Sequence, residues 1–297
     1  MSQSTLSVIE INNIKKSYKD KNVLDDLSIH INAGQIIGLV GRNGAGKTTL
    51  IESIMGLRDI ETGDIKVWQE FLGDLSQEQK EQIGFVQQDP IGFEWMRVWQ
   101  YIEYFGGFFR GWDKAYSERL LEKWQLDKKS RIADLSGGQQ QMLQVIQVLS
   151  IKPKLLILDE PVAHLDPNMR RQFLAELVEL TCELETTVLF STHIISDLER
   201  VASHIALLSH GKIEHFYELE KLKESAASLL FENEIPETRQ FDNLINWQSI
   251  NNGCKAIVAK PNGISISQME KQLDISIQSQ PLSLEDWYLE VTNETNS

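Results

Sequence analysis

The chain predicts an α/β fold: a mixed β-sheet core with antiparallel strands near its N-terminus, an inserted helical subdomain, and a small accessory α/β domain after it. Three observations carry that prediction. Ile36–Val40, Leu155–Leu158 and Val188–Phe190 are short continuous apolar runs, the pattern of strands buried on both faces. The first run opens into Gly41-Arg42-Asn43-Gly44-Ala45-Gly46-Lys47-Thr48, which fits G-x-x-x-x-G-K-[ST], and then into a helical pattern carrying Leu50, Ile51, Ile54 and Met55. Residues 5–32 instead alternate apolar and polar, as strands with one solvated face do.

Taken in order, residues 5–32 fit two or three short strands with turns at Asn12-Asn13 and Lys19-Asp20. Residues 90–150 read as a mostly helical insertion, with rings from Trp95 and Trp99 to Trp112 and Trp124 at helical spacing. A helix follows from Pro167, a residue favoured in the first turn, with Phe173, Leu174, Leu177 and Val178 on one face. Ile205–Leu208 and Lys212–Glu214 form a hairpin through Ser209-His210-Gly211. Composition shifts after residue 216, giving domains 1–216 and 217–297. The second begins with a charged helical segment, Glu218 to Ser228. Strands at Cys254–Lys260 and Asp274–Ser279 follow, and it ends on Pro281–Leu289.

Apolar content of 41% supports a packed core, and the net charge of −14 argues against non-specific nucleic-acid binding. Cys182 and Cys254 stand far apart without metal-ligand spacing, as reduced thiols do. Residues 1–10 have no signal-peptide pattern, and no apolar run approaches the roughly 20 residues that cross a bilayer. Any membrane role therefore needs a partner chain.

The glycines of the 41–48 loop let its backbone N–H groups converge on one anion, with the helix N-terminus adding partial positive charge. Lys47 is placed for β- and γ-phosphates and the Thr48 hydroxyl for Mg²⁺. Asp159 ends a buried strand, at the sheet edge where open α/β sheets bind ligands, and is suited to the metal. Glu160 faces another way and is suited to polarise an attacking water. Ser136-Gly137-Gly138-Gln139 opens a helix; it is either a second anion site or an ordinary serine cap. Tyr18 either stacks on a base or packs in a sheet. Gln88 is a metal ligand through its amide oxygen or a surface residue, and His193 is a phosphate contact or a cap.

In their order along the chain these motifs resemble the ATP-binding cassette of ABC transporters, over residues 5–216. The resemblance implies roles. Tyr18 is the adenine-stacking residue, Gly41–Thr48 with Thr49 the Walker A loop, and Gln88 the Q-loop glutamine. Leu135–Gln139 is the LSGGQ signature, with Ser136, Gly137, Gly138 and Gln139 contacting nucleotide. Leu155–Asp159 is Walker B, Glu160 the catalytic carboxylate, Ala163–Asp166 the D-loop with Asp166 at the nucleotide interface, and His193 the switch histidine. It implies ATP and Mg²⁺ as cofactors and head-to-tail pairing with a second copy or homologue. It also implies a membrane-spanning permease partner at the cytoplasmic face of the plasma membrane, contacted by the helical insertion, with Trp95 and Trp99 nearest it. Ser191–Arg200 and Pro281–Leu289 resemble the ABC-2 type bacterial exporter group. Gln140-Gln141 after the signature and His164 in the D-loop depart from common family choices.

The competing expectations are an importer ATPase and a soluble ABC ATPase acting on ribosomes or DNA. Against the latter stand one cassette, no heptad run and an acidic balance, and no nucleic-acid partner is expected. The tail suggests a dimer contact.

Overall fold

Alternate residues of the central strands feed two separate cores, and this sets the layering. The computed structural model describes residues 7–19, 21–88, 92–231, 244–250, 253–258, 266–273 and 277–293. In chain order the first elements are β1 (Ser7–Tyr18), β2 (Lys21–Asn32), β3 (Ile36–Val40), α1 (Lys47–Ile54), β4 (Thr62–Val67), β5 (Glu70–Phe71), α2 (Gln77–Lys80) and β6 (Ile83–Val86). The helical insertion supplies α3 (Val98–Gly106), α4 (Lys114–Lys123) and α5 (Gly137–Leu149). Then come β7 (Leu155–Leu158), α6 (Pro167–Leu184), β8 (Thr187–Ser191), α7 (Ile195–Val201), β9 (His204–Ser209) and β10 (Lys212–Glu218). The tail holds α8 (Leu219–Ser225), β11 (Ala227–Phe231), β12 (Leu244–Ile250), β13 (Gly253–Val258), α9 (Ile266–Leu273), β14 (Ile277–Pro281) and α10 (Leu284–Asn293).

The central sheet has the order β10-β9-β3-β8-β7-β6. Its strands run parallel except β10, which returns antiparallel to β9. Ile36, Val40, Leu156 and Leu158 face a core shared with α3–α7, while Ile37, Leu39, Leu155 and Ile157 face one shared with α1 and the antiparallel sheet β2-β1-β4-β5. The period-two direction of side chains makes this division automatic, and strands covered on both faces need the unbroken apolar runs seen in the sequence. Pairing of Val86 with Leu158 and Leu39 with Ser191 ends β6, β7, β3 and β8 along one edge. Gln88, Asp159, the 41–48 loop and His193 all follow from that edge.

The structure revises some expected boundaries. Asn12-Asn13 is not a turn: β1 runs through it to Tyr18, paired on both sides with β2 and β4. The polar pair marks an irregularity in register, with Asn13 at φ 47°, its N–H donating to Ser28 Oγ, and Asn12 Nδ2 donating to Asp64 Oδ2. The β1–β2 reversal follows Tyr18 as expected, though Asp20 lies outside the described residues. Met55 is the C-cap of α1 rather than a helical residue. Helix α8 stops at Ser225 because Ala227–Phe231 is claimed by a sheet of order β12-β13-β11-β14, where it pairs with β13 and β14. Residues 259–260 and 274–276 of the two expected tail strands lie outside the described residues; the rest are within or beside β13 and β14.

The expected boundary at 216 falls inside β10. Helix α10 lies on α7, and Trp287, with no exposed surface, joins the core containing Ile195, Leu198, Leu219 and Leu222. Its ring meets His215 and Tyr217 edge-on, with centroids 5.8 and 6.4 Å away. In the helical insertion the aromatics divide. Tyr101 and Trp124 are buried, whereas Trp95, Trp99, Tyr104 and Phe108 are exposed, Trp95 by 70%. Among the described residues no helix is long and apolar enough to cross a membrane.

Candidate functional site

The turn from β3 into α1 is built by glycines whose conformations or surroundings exclude other residues. Gly44 and Gly46 have φ of 79° and 108°, in the left-handed region that glycine adopts freely. A Cβ on Gly41 would stand 2.4 Å from the Leu208 carbonyl. The loop therefore curls tightly, and Lys47, only 7% exposed, folds back to donate from Nζ to the Gly41 carbonyl at 2.9 Å. The same ammonium lies 3.7 Å from Glu160 Oε1.

Across the sheet edge, Asp159 and Glu160 diverge as their sequence position required. Glu160 has φ 48°, which swings its side chain away from that of Asp159. Ser191, at the end of β8, ties both down: its hydroxyl donates to Asp159 Oδ1 at 2.6 Å and accepts from the Glu160 N–H at 2.8 Å. Glu160 Oε2 lies 2.8 Å from His193 Nδ1. A nearly buried carboxylate thus stands between a lysine ammonium and an imidazole. The neighbouring ammonium compensates the charge that burial would otherwise leave unpaired.

Tyr18, Asn43, Gly44, Gly46, Lys47, Thr48, Thr49, Gln88 and Glu160 line one cavity of about 470 Å³, together with Val23. Gly41, Arg42 and Ala45 complete the loop; Asp159 and His193 do not line the cavity, His193 contacting its wall at Glu160 and Asp159 bonding Ser191. Tyr18 is 39% exposed, with Lys16 Nζ and Arg58 Cζ lying over its ring, 5.5 and 5.9 Å from the ring centre. Thr48, Gln88 and Asp159 offer a hydroxyl, an amide oxygen and a carboxylate, the hard oxygen donors that suit Mg²⁺ together with phosphate oxygens.

Ser136, Gly137, Gly138, Gln139 and Asp166 do not line this cavity. Ser136 caps α5 through a reciprocal pair: its hydroxyl accepts from Gln139 N–H, and Gln139 Oε1 accepts from Ser136 N–H. Ser136 and Gly137 are exposed at that helix end. Asp166 caps α6, accepting from the N–H groups of Asn168 and Met169. The two segments pack on each other, since a Cβ on Gly138 would stand 2.7 Å from the His164 carbonyl. Sequence reasoning missed Ser191 and Val23. The signal for Ser191 was a hydroxyl ending an otherwise apolar strand; Val23 gave none.

Comparison with known proteins agrees with this geometry. Residues 24–163 match the family model described as ABC transporter. An uncharacterized ABC transporter ATP-binding protein of Bacillus subtilis (strain 168), YxlF, is 34% identical over 77% of each chain. This chain belongs to the ABC transporter ATP-binding proteins. A second such B. subtilis protein, YhcH, also uncharacterized, is 29% identical over 97% of both chains. The solved ATP-binding subunit of an ABC transporter superposes with a TM-score of 0.65 at 26% identity, over 73% of this chain and 92% of that one. A dimeric ATP-binding cassette bound to ADP and Pi shares the fold, with a TM-score of 0.63 at 23% identity, over 71% of this chain and 98% of that one. As an ABC transporter ATP-binding protein, the chain is an ATPase subunit of a transporter.

Proposed function

We propose that this subunit drives a bacterial exporter. Two copies, or one copy and a homologue, close head to tail on ATP beneath a separate membrane-spanning permease, at the cytoplasmic face of the plasma membrane. The observation that carries the reading is the division of the predicted site. Lys47, Glu160 and His193 meet at the cavity, while the exposed helix end at Ser136-Gly137 lies outside it. One chain thus holds half of each of two anion sites, and a partner's α5 N-terminus can close the other half.

In this reading Tyr18 stacks the adenine, and the N–H groups of the 41–49 loop hold the phosphates. Lys47 leaves the Gly41 carbonyl to pair with the β- and γ-phosphates. Thr48, Gln88 and Asp159 hold Mg²⁺, which neutralises phosphate charge when bound. Glu160 accepts the proton of the attacking water, and His193, oriented through its Nδ1, presents its other ring nitrogen to the γ-phosphate. Exposed Trp95, Trp99 and Phe108 supply the aromatic surface for the permease. The tail forms the accessory domain, 217–297.

Export is supported by the likeness of Ser191–Arg200 and Pro281–Leu289 to the ABC-2 group. Import is the second reading, because relatives include the sulfate/thiosulfate import ATP-binding protein CysA of Bacillus cereus, 29% identical over 90% of this chain. Reconstitution with its permease partner, with ATP supplied on one side only, decides the direction from where cargo accumulates. The ATPase reading is tested more simply. Lys47→Ala should abolish Mg²⁺-dependent ATP binding. Glu160→Gln should bind ATP normally, accumulate dimers and turn over at least on the order of a hundredfold more slowly. Equal turnover by Glu160→Gln and the parent would refute the role given to Glu160.

A further inference from the structure

A partly buried guanidinium and a buried carboxylate face each other without closing a hydrogen bond. Arg170 Nε lies 3.6 Å from Asp197 Oδ2. The side chains are 24% and 6% exposed, and neither of those atoms has a hydrogen-bond partner among the described residues. The guanidinium is held elsewhere, Nη2 donating to the Leu165 carbonyl at 3.4 Å. Burial lifts the Asp197 carboxyl above its ordinary range, while Arg170, Arg200 and His193 draw it back. A partly buried pair left open in this way adds little stability, so its placement asks for another reason.

Position supplies that reason. Arg170 stands in the first turn of α6, its N–H donating to the carbonyl of the N-cap Asp166 at 2.9 Å, directly after the Ala163–Asp166 loop. That loop is the one Gly138 of the signature helix presses against. Asp197 stands in the first turn of α7, four residues beyond His193, whose Nδ1 meets Glu160. The pair is a direct polar link between the loop backing the signature helix and the segment that aims the switch histidine.

We infer that Arg170 and Asp197 are a positioning pair, registering the Ala163–Asp166 loop against the start of α7 and so fixing the aim of His193 at Glu160. Movement of the signature helix shifts the loop, the loop carries Arg170, and Arg170 carries Asp197 and the base of the His193 segment. The inference rests on reading the Walker A cavity as the ATP site, and its test separates the two.

The test uses the full chain with Arg170→Met, Asp197→Asn and the exchanged pair Arg170→Asp with Asp197→Arg. Without nucleotide, the ring resonances of His193 are followed by NMR. Each single substitution should move them, and the exchange should bring them back toward the parent. With Mg-ATP, each single substitution should lower kcat on the order of tenfold to a hundredfold, as misplacement remote from the chemistry does, with KM changed by less than about twofold, and the exchange should recover kcat. Unmoved His193 resonances in both single variants would overturn the pair. So would an exchanged variant that folds but is worse than either single. Should the exchange not fold, Arg170→Lys serves instead: it keeps the charge but loses the fork to Leu165, so an intermediate His193 shift is expected and an unchanged one refutes the pair. A parent chain without Mg²⁺-dependent ATP turnover would remove the ATP reading and leave the NMR result standing.

Discussion

His204 shows how a hydrogen-bond network can decide a protonation state. Gln35 Oε1 accepts from the Asn32 N–H, which leaves the Gln35 amide NH₂ facing His204 Nε2 at 3.1 Å. Ser203 Oγ, 3.0 Å from Nδ1, already accepts from the Ile36 N–H and donates to the Ile36 carbonyl. The network fits the neutral tautomer with its proton on Nδ1. Burial lowers the affinity of this ring for a proton below the ordinary 6.5, with Glu218 raising it and Lys221 lowering it further. The unfolded chain therefore binds more protons as pH falls through 6.5, and the stability tied to neutral His204 is full above 6.5 and lost below it toward the lower folded value. Urea titrations at pH 7.5 and 5.5 should show a larger loss for the parent than for His204→Asn. Ser191 makes a second residue-scale prediction. Ser191→Ala leaves the buried Glu160 N–H without its acceptor and should cost about 1–3 kcal/mol in chemical denaturation. The Walker A, signature and Walker B residues were legible because each motif is contiguous and its chemistry follows from residue type. Ser191 and the Arg170–Asp197 pair were not, because their partners come from segments far apart in the chain.

At the scale of elements, one buried acid ties α4 of the insertion to α6, beside the apolar core they share. Glu176 on α6 has no exposed surface; it accepts from Tyr116 Oη of α4 at 2.6 Å and pairs with Lys123 of the same helix. Tyr116→Phe strands one carboxylate oxygen and should destabilise by about 1–3 kcal/mol, read from the urea midpoint at constant slope. Replacing Tyr116, Lys123 and Glu176 together by apolar residues of similar size should cost less than Tyr116→Phe alone, because no charge is then left in the core. The helices of the insertion were readable from apolar spacing. The Asn12-Asn13 error has a physical cause: asparagines tolerate positive φ, and that tolerance serves an irregular strand as well as a turn.

At the scale of the molecule, the tail is fitted into the cassette rather than merely attached to it. Leu284 N–H donates to Glu199 Oε1 of α7 at 3.3 Å, Lys223 Nζ to the Glu199 carbonyl at 3.4 Å, and Trp287 fills the core beside them. Thr292 of α10 lines a second cavity, of about 510 Å³, with Arg42–Ala45 of the Walker A loop. Trp287→Ala should cost about 3–5 kcal/mol. A chain ending at residue 216 should melt well below the full chain by calorimetry, since it uncovers Ile195 and Leu198. The composition shift near 216 was visible in the sequence; that the segment after it packs back on α7 was not, since a lone Trp in Ser283–Leu289 does not reveal its neighbours.

The burial of Trp287 also bears on biosynthesis. Ribosomes make this side chain after Ile195, Leu198, Leu219 and Leu222, so until it emerges the nascent cassette lacks the ring that covers them. Delayed docking of α10 leaves those side chains bare to holdase chaperones and to self-association.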